Sequence, residues 1–188
     1  MHTCDLDKGI DFVYPDTRRL LTHAVEFARH AIITTTNFEV DNFTRTLIAR
    51  MGIVLGDGIV HEFLSCDSVL DDPNNRSLSD EYLDGLPRQN GVPPHRLVLF
   101  EGAMCMLMRN LDPRRGLVNN TKCVIKKIWG GGATRSGRST HKAVEVALIE
   151  PDPYNCGFFR ESTETFVIPR ISFNFEPPRA KSVTIVRR

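Results

Sequence analysis

The groups in this chain best suited to chemistry are cations held close together. Arg109, Arg114, Arg115, Lys122, Lys126, Lys127, Arg135, Arg138 and Lys142 occupy one stretch against Asp112 alone, a net of +8. The stretch from Asp57 to Asp84 is its opposite, eight acids against Arg76, a net of −7. Guanidinium and ammonium groups at this density suit phosphate, and the block is a candidate nucleic-acid surface; charge alone fits a solvated face as well. A second anion candidate is Thr35-Thr36-Asn37. If a helix begins there, two hydroxyls, an amide and the first free N–H groups of the helix can hold a phosphate, or Thr36 can serve as a plain N-cap. A third is Gly132-Ala133-Thr134-Arg135-Ser136-Gly137-Arg138-Ser139, which keeps the spacing of a phosphate-binding loop with Arg138 where Lys belongs. A working loop of that kind feeds a helix, whereas Lys142 to Ile149 alternates polar and apolar residues as a strand does, so a Gly-rich hairpin loop is expected.

The elements that must carry these groups are legible from period and punctuation. Arg18 to His30 places Leu20, Leu21, Ala24, Val25, Phe27 and Ala28 on one stripe, predicting a helix. Ala31 to Thr35 predicts a short strand, and Thr36 with Glu39 forms a capping box opening a helix with Val40, Phe43, Leu47 and Met51 inward. Val60 to Cys66 predicts a strand, 71–77 an exposed loop, and Ser79 the cap of a short helix reaching Leu86. Beyond it come short strands between Gly, Pro and Asn turns: Arg96 to Phe100, Ala103 to Arg109, Thr121 to Trp129, Lys142 to Ile149, Thr163 to Pro169 and Val183 to Arg187. Short strands after a strand-turn-helix unit suggest a small β barrel inserted in an α/β domain.

Composition sets the limits. The 188 residues are 41% hydrophobic and 25% charged, with a formal net charge of +1, which predicts a folded globular body. No apolar run reaches the ~18 residues of a membrane helix, and the N-terminus lacks the charge pattern of a signal peptide. The five cysteines contain no C-x-x-C pair and the six histidines no H-x-x-x-H, so neither a zinc site nor a disulfide framework is expected, and a reducing compartment is. Cys105 and Cys123 fall in apolar strands, where a thiol is a small core hydrophobe. Trp129, the single tryptophan, ends a strand, which suits a core or rim position; stacking on a base is the alternative.

One stretch carries a family likeness. Gly91-Val92-Pro93-Pro94-His95-Arg96-Leu97-Val98-Leu99, then Glu101-Gly102-Ala103-Met104-Cys105-Met106-Leu107-Met108-Arg109-Asn110-Leu111-Asp112-Pro113, then Gly116-Leu117-Val118-Asn119-Asn120-Thr121-Lys122 resembles the 2B region of PIF-type ATP-dependent DNA helicases, including those of Helitron-like transposons. Ile10 to Pro15 and Ala31 to Asn37 look like that family's approach to motor domain 2A; Val167 to Ile171 and Val183 to Arg188 look like the approach to its last conserved block. The resemblance implies an α/β fold: a partial RecA-like motor domain (2A) with an inserted small SH3-like β barrel (2B). Its expected divisions are 1–78 for the first part of 2A, 79–170 for the 2B region and 171–188 for a return strand toward 2A.

The same resemblance implies what such a chain would do. The family unwinds DNA in the 5′ to 3′ direction in repair, recombination and telomere or genome maintenance, using ATP and Mg2+. No Walker A or B motif stands in this sequence, so a fragment that binds neither cofactor is expected, inactive by itself and acting with the missing helicase domains. Its partners would be single-stranded DNA and forks, without a membrane, in the nucleus or the mitochondrion. The expected DNA contacts are Thr35, Thr36, Asn37, Arg109, Arg114, Arg115, Lys122, Lys126 and Lys127; Asn110 and Asp112 are expected to hold a turn, and Arg109 fits either role. The family has Asn-Gly-Thr where this chain has Asn119-Asn120-Thr121, so Asn120 is expected at positive φ. The alternative is a stand-alone DNA-binding module or an inactive remnant of a transposon helicase.

Overall fold

The computed structural model describes residues 6–55, 60–70, 72, 78–86, 91–129, 143–177 and 183–187. In chain order the elements are α1 (Leu6–Val13), α2 (Thr17–Thr22), a 3-10 helix (Ala24–Arg29), α3 (Asn37–Leu55), β1 (His61–Leu64), β2 (Asp67–Val69), α4 (Asp80–Asp84), β3 (Arg96–Leu99), β4 (Met104–Met106), a 3-10 turn (Pro113–Arg115), β5 (Lys122–Trp129), β6 (Ala143–Pro151), β7 (Phe159–Pro169), β8 (Phe173–Phe175) and β9 (Ile185–Arg187).

The alternation of β5, β6 and β7 builds the largest sheet, four strands in the order β4-β5-β6-β7. One face carries Cys123, Ile125, Ile128, Val146, Leu148 and Phe166 into the main core, where Tyr14, Leu20, Phe27 and Met51 of the helical layer meet them. The opposite face carries Val124 and Ile149, covered by Ala24 and Ala28 of the 3-10 helix. With three residues per turn Val25 and Ala28 stand on one face of that helix, and the small side chains of Ala24 and Ala28 let its backbone approach the sheet. A second core of Val92, Phe175 and Ile185 lies under β2-β9-β8, and β1 with β3 forms a two-stranded sheet.

Several expectations are corrected. The helix over Arg18 to His30 is broken at His23, which has φ −134 and caps α2; Asp16 caps its start, accepting from the Arg18 amide at 3.0 Å. Ala31 to Thr35 is not a strand: no described strand pairs with it, and Ile33 is 92% exposed. Val40 of α3 is 38% exposed rather than inward, while Met51 is buried. Ala103 to Arg109 shortens to the three residues of β4, and Arg109 lies beyond it. Every pair of described strands is antiparallel, and among the described residues the four-stranded sheet is open rather than closed into a barrel. The strands β2 and β8, three residues each, are too short for a periodic signal.

Other expectations hold. Thr36 Oγ1 accepts from the Glu39 amide at 3.3 Å, and Ser79 Oγ from the Tyr82 amide at 3.4 Å. Asn110 Oδ1 accepts from the Asn119 amide at 2.8 Å and Asp112 Oδ1 from the Arg114 amide at 3.1 Å, the turn-holding roles expected of both. Asn120 has φ 68, the one positive value outside glycine among the described residues. Asn120→Val is therefore expected to cost about 1–2 kcal/mol, because a bulky Cβ is strained on a left-handed backbone. Asn120→Gly should lose nothing, and denaturant midpoints of the three proteins test this.

Candidate nucleic-acid interface

The expected contact residues fall into three places. Thr35, Thr36 and Asn37 stand at the start of α3, where the hydroxyls of Thr35 and Thr36 donate to the Glu39 carboxylate at 3.3 and 3.2 Å. The N-terminal partial charge of α3 is thus answered by a carboxylate of its own first turn. An incoming phosphate would have to displace it.

Arg109, Arg114 and Arg115 lie around the turn between β4 and β5. Arg109 donates to the Ser172 carbonyl and lies 5.8 Å from the Phe173 ring, which fastens this turn to the segment before β8. Beside it is a cleft of about 400 Å3 lined by Gly91, Val92, Arg109, Ser172, Phe173 and Asn174. Arg115 pairs with Glu164 and lies 4.6 Å from the Phe166 ring, on the core side of the sheet. The Arg114 side chain is exposed, without a partner among the described residues.

The lysines belong to β5. Half-buried Lys122 donates to the Ala28 carbonyl at the end of the 3-10 helix, where a cation meets the negative end of a helix. The register then slips: Ile125 faces Val146, Lys127 faces Glu145, and Lys126 is the extra residue of a β-bulge. Cys123, Ile125 and Ile128 point into the core as a result, while both Lys126 and Lys127 are exposed. Lys126 pairs with Glu161 of β7 at 2.7 Å, and the Lys127 ammonium sits 4.0 Å from the centre of the Trp129 ring.

The single basic block of the sequence is therefore divided between two faces. Lys127 is in register with Glu145 and Val167, and Val167 points away from its core-facing neighbour Phe166, beside which Arg115 lies. Two acids of β7, Glu161 and Glu164, also neutralise part of the block. Counting charge along the chain misses this, because the partners are 35 and 49 residues apart. Trp129 takes the rim position, 44% exposed. It pairs with Ala143 at the end of the antiparallel β5-β6 ladder, so residues 130–142 join neighbouring antiparallel strands. The phosphate-loop-like Gly132 to Ser139 lies among them, outside the described residues, and it leads into strand β6 rather than a helix.

Two further observations bear on partners. Among the described residues no helix is long and apolar enough to cross a membrane. No group of three or more His, Cys, Asp or Glu side chains among them could hold a metal ion.

Residues 81–128 match a family model described as DNA helicase Pif1, 2B domain, about a quarter of the chain. The match runs from α4 through β5, takes in Arg109, Arg114, Arg115, Lys122, Lys126 and Lys127, and stops one residue before Trp129. A comparison with curated proteins gave no match.

Proposed function

We propose that this chain is a part of an ATP-dependent 5′ to 3′ DNA helicase of the Pif1 kind, in which it contributes contacts to single-stranded DNA at the fork. The observation that carries the reading is the family match over 81–128, which falls on the segment whose bulge sets two lysines outward on β5. In this reading α4 and β3 to β7 make up the 2B region, and α1 to α3 with β9 belong to the 2A side. ATP and Mg2+ are held by helicase domains outside this sequence, and the work is genome maintenance in the nucleus or the mitochondrion.

The contacts are electrostatic and sequence-independent. Lys126, Lys127 and Arg114 are exposed cations of the set that hold no backbone carbonyl; Arg115 is a fourth, held by Glu164 and the Phe166 ring on the core side of the sheet, and Lys126 must leave Glu161 to meet a phosphate. Three phosphates neutralised on single-stranded DNA give a slope near −2 in a plot of log affinity against log salt, by the rule of roughly −0.7 per phosphate. The expected result is micromolar binding of a fluorescein-labelled oligo(dT) with that slope, read by anisotropy, and a shallower slope for the Lys126→Ala, Lys127→Ala protein. Binding that is absent at low salt, or indifferent to salt, refutes the reading.

A further inference from the structure

The outer face of β5-β6-β7 is only half covered. The 3-10 helix packs over Val124 and Ile149 at one end, and no element among the described residues packs over the other. There the register sets Trp129, Ala143 and Pro169 in one row across the three strands, and Lys127, Glu145 and Val167 in the next. Trp129 is 44% and Val167 60% exposed, Lys127 and Pro169 are exposed as well, and Glu145 is half-buried between its neighbours. Ala143, the small residue in the middle of its row, leaves a shallow floor between the indole and the proline. Two strand spacings, about 10 Å, give the width of one nucleotide.

Charge and ring chemistry agree on what suits this floor. Lys127 stands on the same face as the indole with its ammonium 4.0 Å from the ring centre, while Lys126 is drawn to Glu161, whose register partner Ile149 lies at the covered end. A ring beside one cation with an apolar floor next to it matches a base with its phosphate: the base stacks on the indole, and Lys127 moves off the ring to the backbone.

We propose that this open end, formed by Trp129, Ala143, Val167 and Pro169 with Lys127 at its margin, is a base-stacking site for single-stranded DNA. The site rests on the DNA-binding reading above and adds to it the face and the ring that the strand meets. It lies just past the family-matched segment, on strands β6 and β7 that the match does not include.

Trp129 is the only tryptophan, so its fluorescence reports this site alone. The full chain is titrated with fluorescein-labelled oligo(dT) for anisotropy, which registers binding anywhere, and in parallel with unlabelled oligo(dT) for indole emission. Quenching with the anisotropy midpoint is expected, and Trp129→Ala should bind roughly 5- to 150-fold more weakly, the loss of one stacked base. Val167→Glu, at an exposed position, should weaken binding with the fold intact by circular dichroism, so that a folding defect in Trp129→Ala is recognised. A rise in anisotropy without quenching, or with full affinity in both variants, overturns the stacking site and leaves the DNA-binding reading standing. No rise at all overturns both. A concentration-dependent blue shift of the indole emission without DNA shows a second copy on this face and also overturns the site.

Discussion

Asp67→Ala is expected to remove about 3–5 kcal/mol of folding stability, the usual cost of leaving one charge of a buried ion pair without its partner. The Asp67 side chain is 0% exposed and meets Arg187 Nε at 2.7 Å. Arg187 also donates to the Pro93 carbonyl at 3.0 Å and lies 5.1 Å from the Phe175 ring, so one guanidinium ties β2, the segment before β3, β8 and β9 together. Among the described residues Asp67 Oδ1 and Arg187 Nη2 have no hydrogen-bond partner. The pair is therefore incompletely compensated, and its contribution lies in matching charges rather than in net attraction. Domains are stable by only about 5–15 kcal/mol, so the single variant should unfold at much lower urea. Replacing both residues, Asp67→Leu with Arg187→Met, should recover most of the loss. A loss below about 1 kcal/mol for Asp67→Ala would show that the charge finds water or another partner.

The second large effect is with pH. Cys105 and Cys123 face each other across β4 and β5, and burial pushes the Cys105 thiol up from 9.0 to about 12, with the neighbouring Cys123 adding to it, and the Cys123 thiol from 9.0 to about 11. A thiol whose folded value is raised stabilises the fold fully below pH 9. Above that the unfolded chain sheds protons which the folded chain keeps, so stability falls as pH rises toward 11 and 12. Each thiol's loss steepens toward about 1.4 kcal/mol per pH unit in that window, so the pair should cost about 2 kcal/mol between pH 9 and 10. Tyr14, raised from 10.0 by burial, acts in the same direction at higher pH. Urea unfolding at pH 8, 9 and 10 measures the slope, and Cys105→Ala with Cys123→Ala should flatten it. An unchanged slope would assign the alkaline loss to other groups. Iodoacetamide at pH 8 offers a direct companion measurement, since Cys66 and Cys156 are exposed and should react while the facing pair stays protonated.

Local chemistry was legible from the residues alone. The caps at Thr36 and Ser79, the positive φ of Asn120, the turn-holding Asn110 and Asp112 and the strands β5, β6 and β7 each depend on a few adjacent residues, whose side chains either satisfy a neighbouring backbone group or alternate between two environments. The stretch from Gly91 to Lys122 was legible as a resemblance to a helicase 2B region, and the family match over 81–128 covers it.

What lay beyond reach was everything decided between distant segments. Ala31 to Thr35 has the residues of a strand but gains no strand partner, and an unpaired run of apolar residues gives no sheet. Arg18 to His30 has one apolar stripe, yet the sheet beneath it favours a break at His23 and a tighter helix over Val124. Lys126 and Arg115 read as free cations until β7 brings Glu161 and Glu164 against them. The bulge that turns Lys127 and Trp129 to one open face is a matter of register between β5 and β6. The sequence by itself determined the caps, the turns, the longer strands β5, β6 and β7 and how much positive charge the chain carries there. Only the tertiary structure decided which face that charge occupies and which acids meet it, because pairing and register are set by packing across strands, whereas caps and alternation are satisfied within one turn of chain.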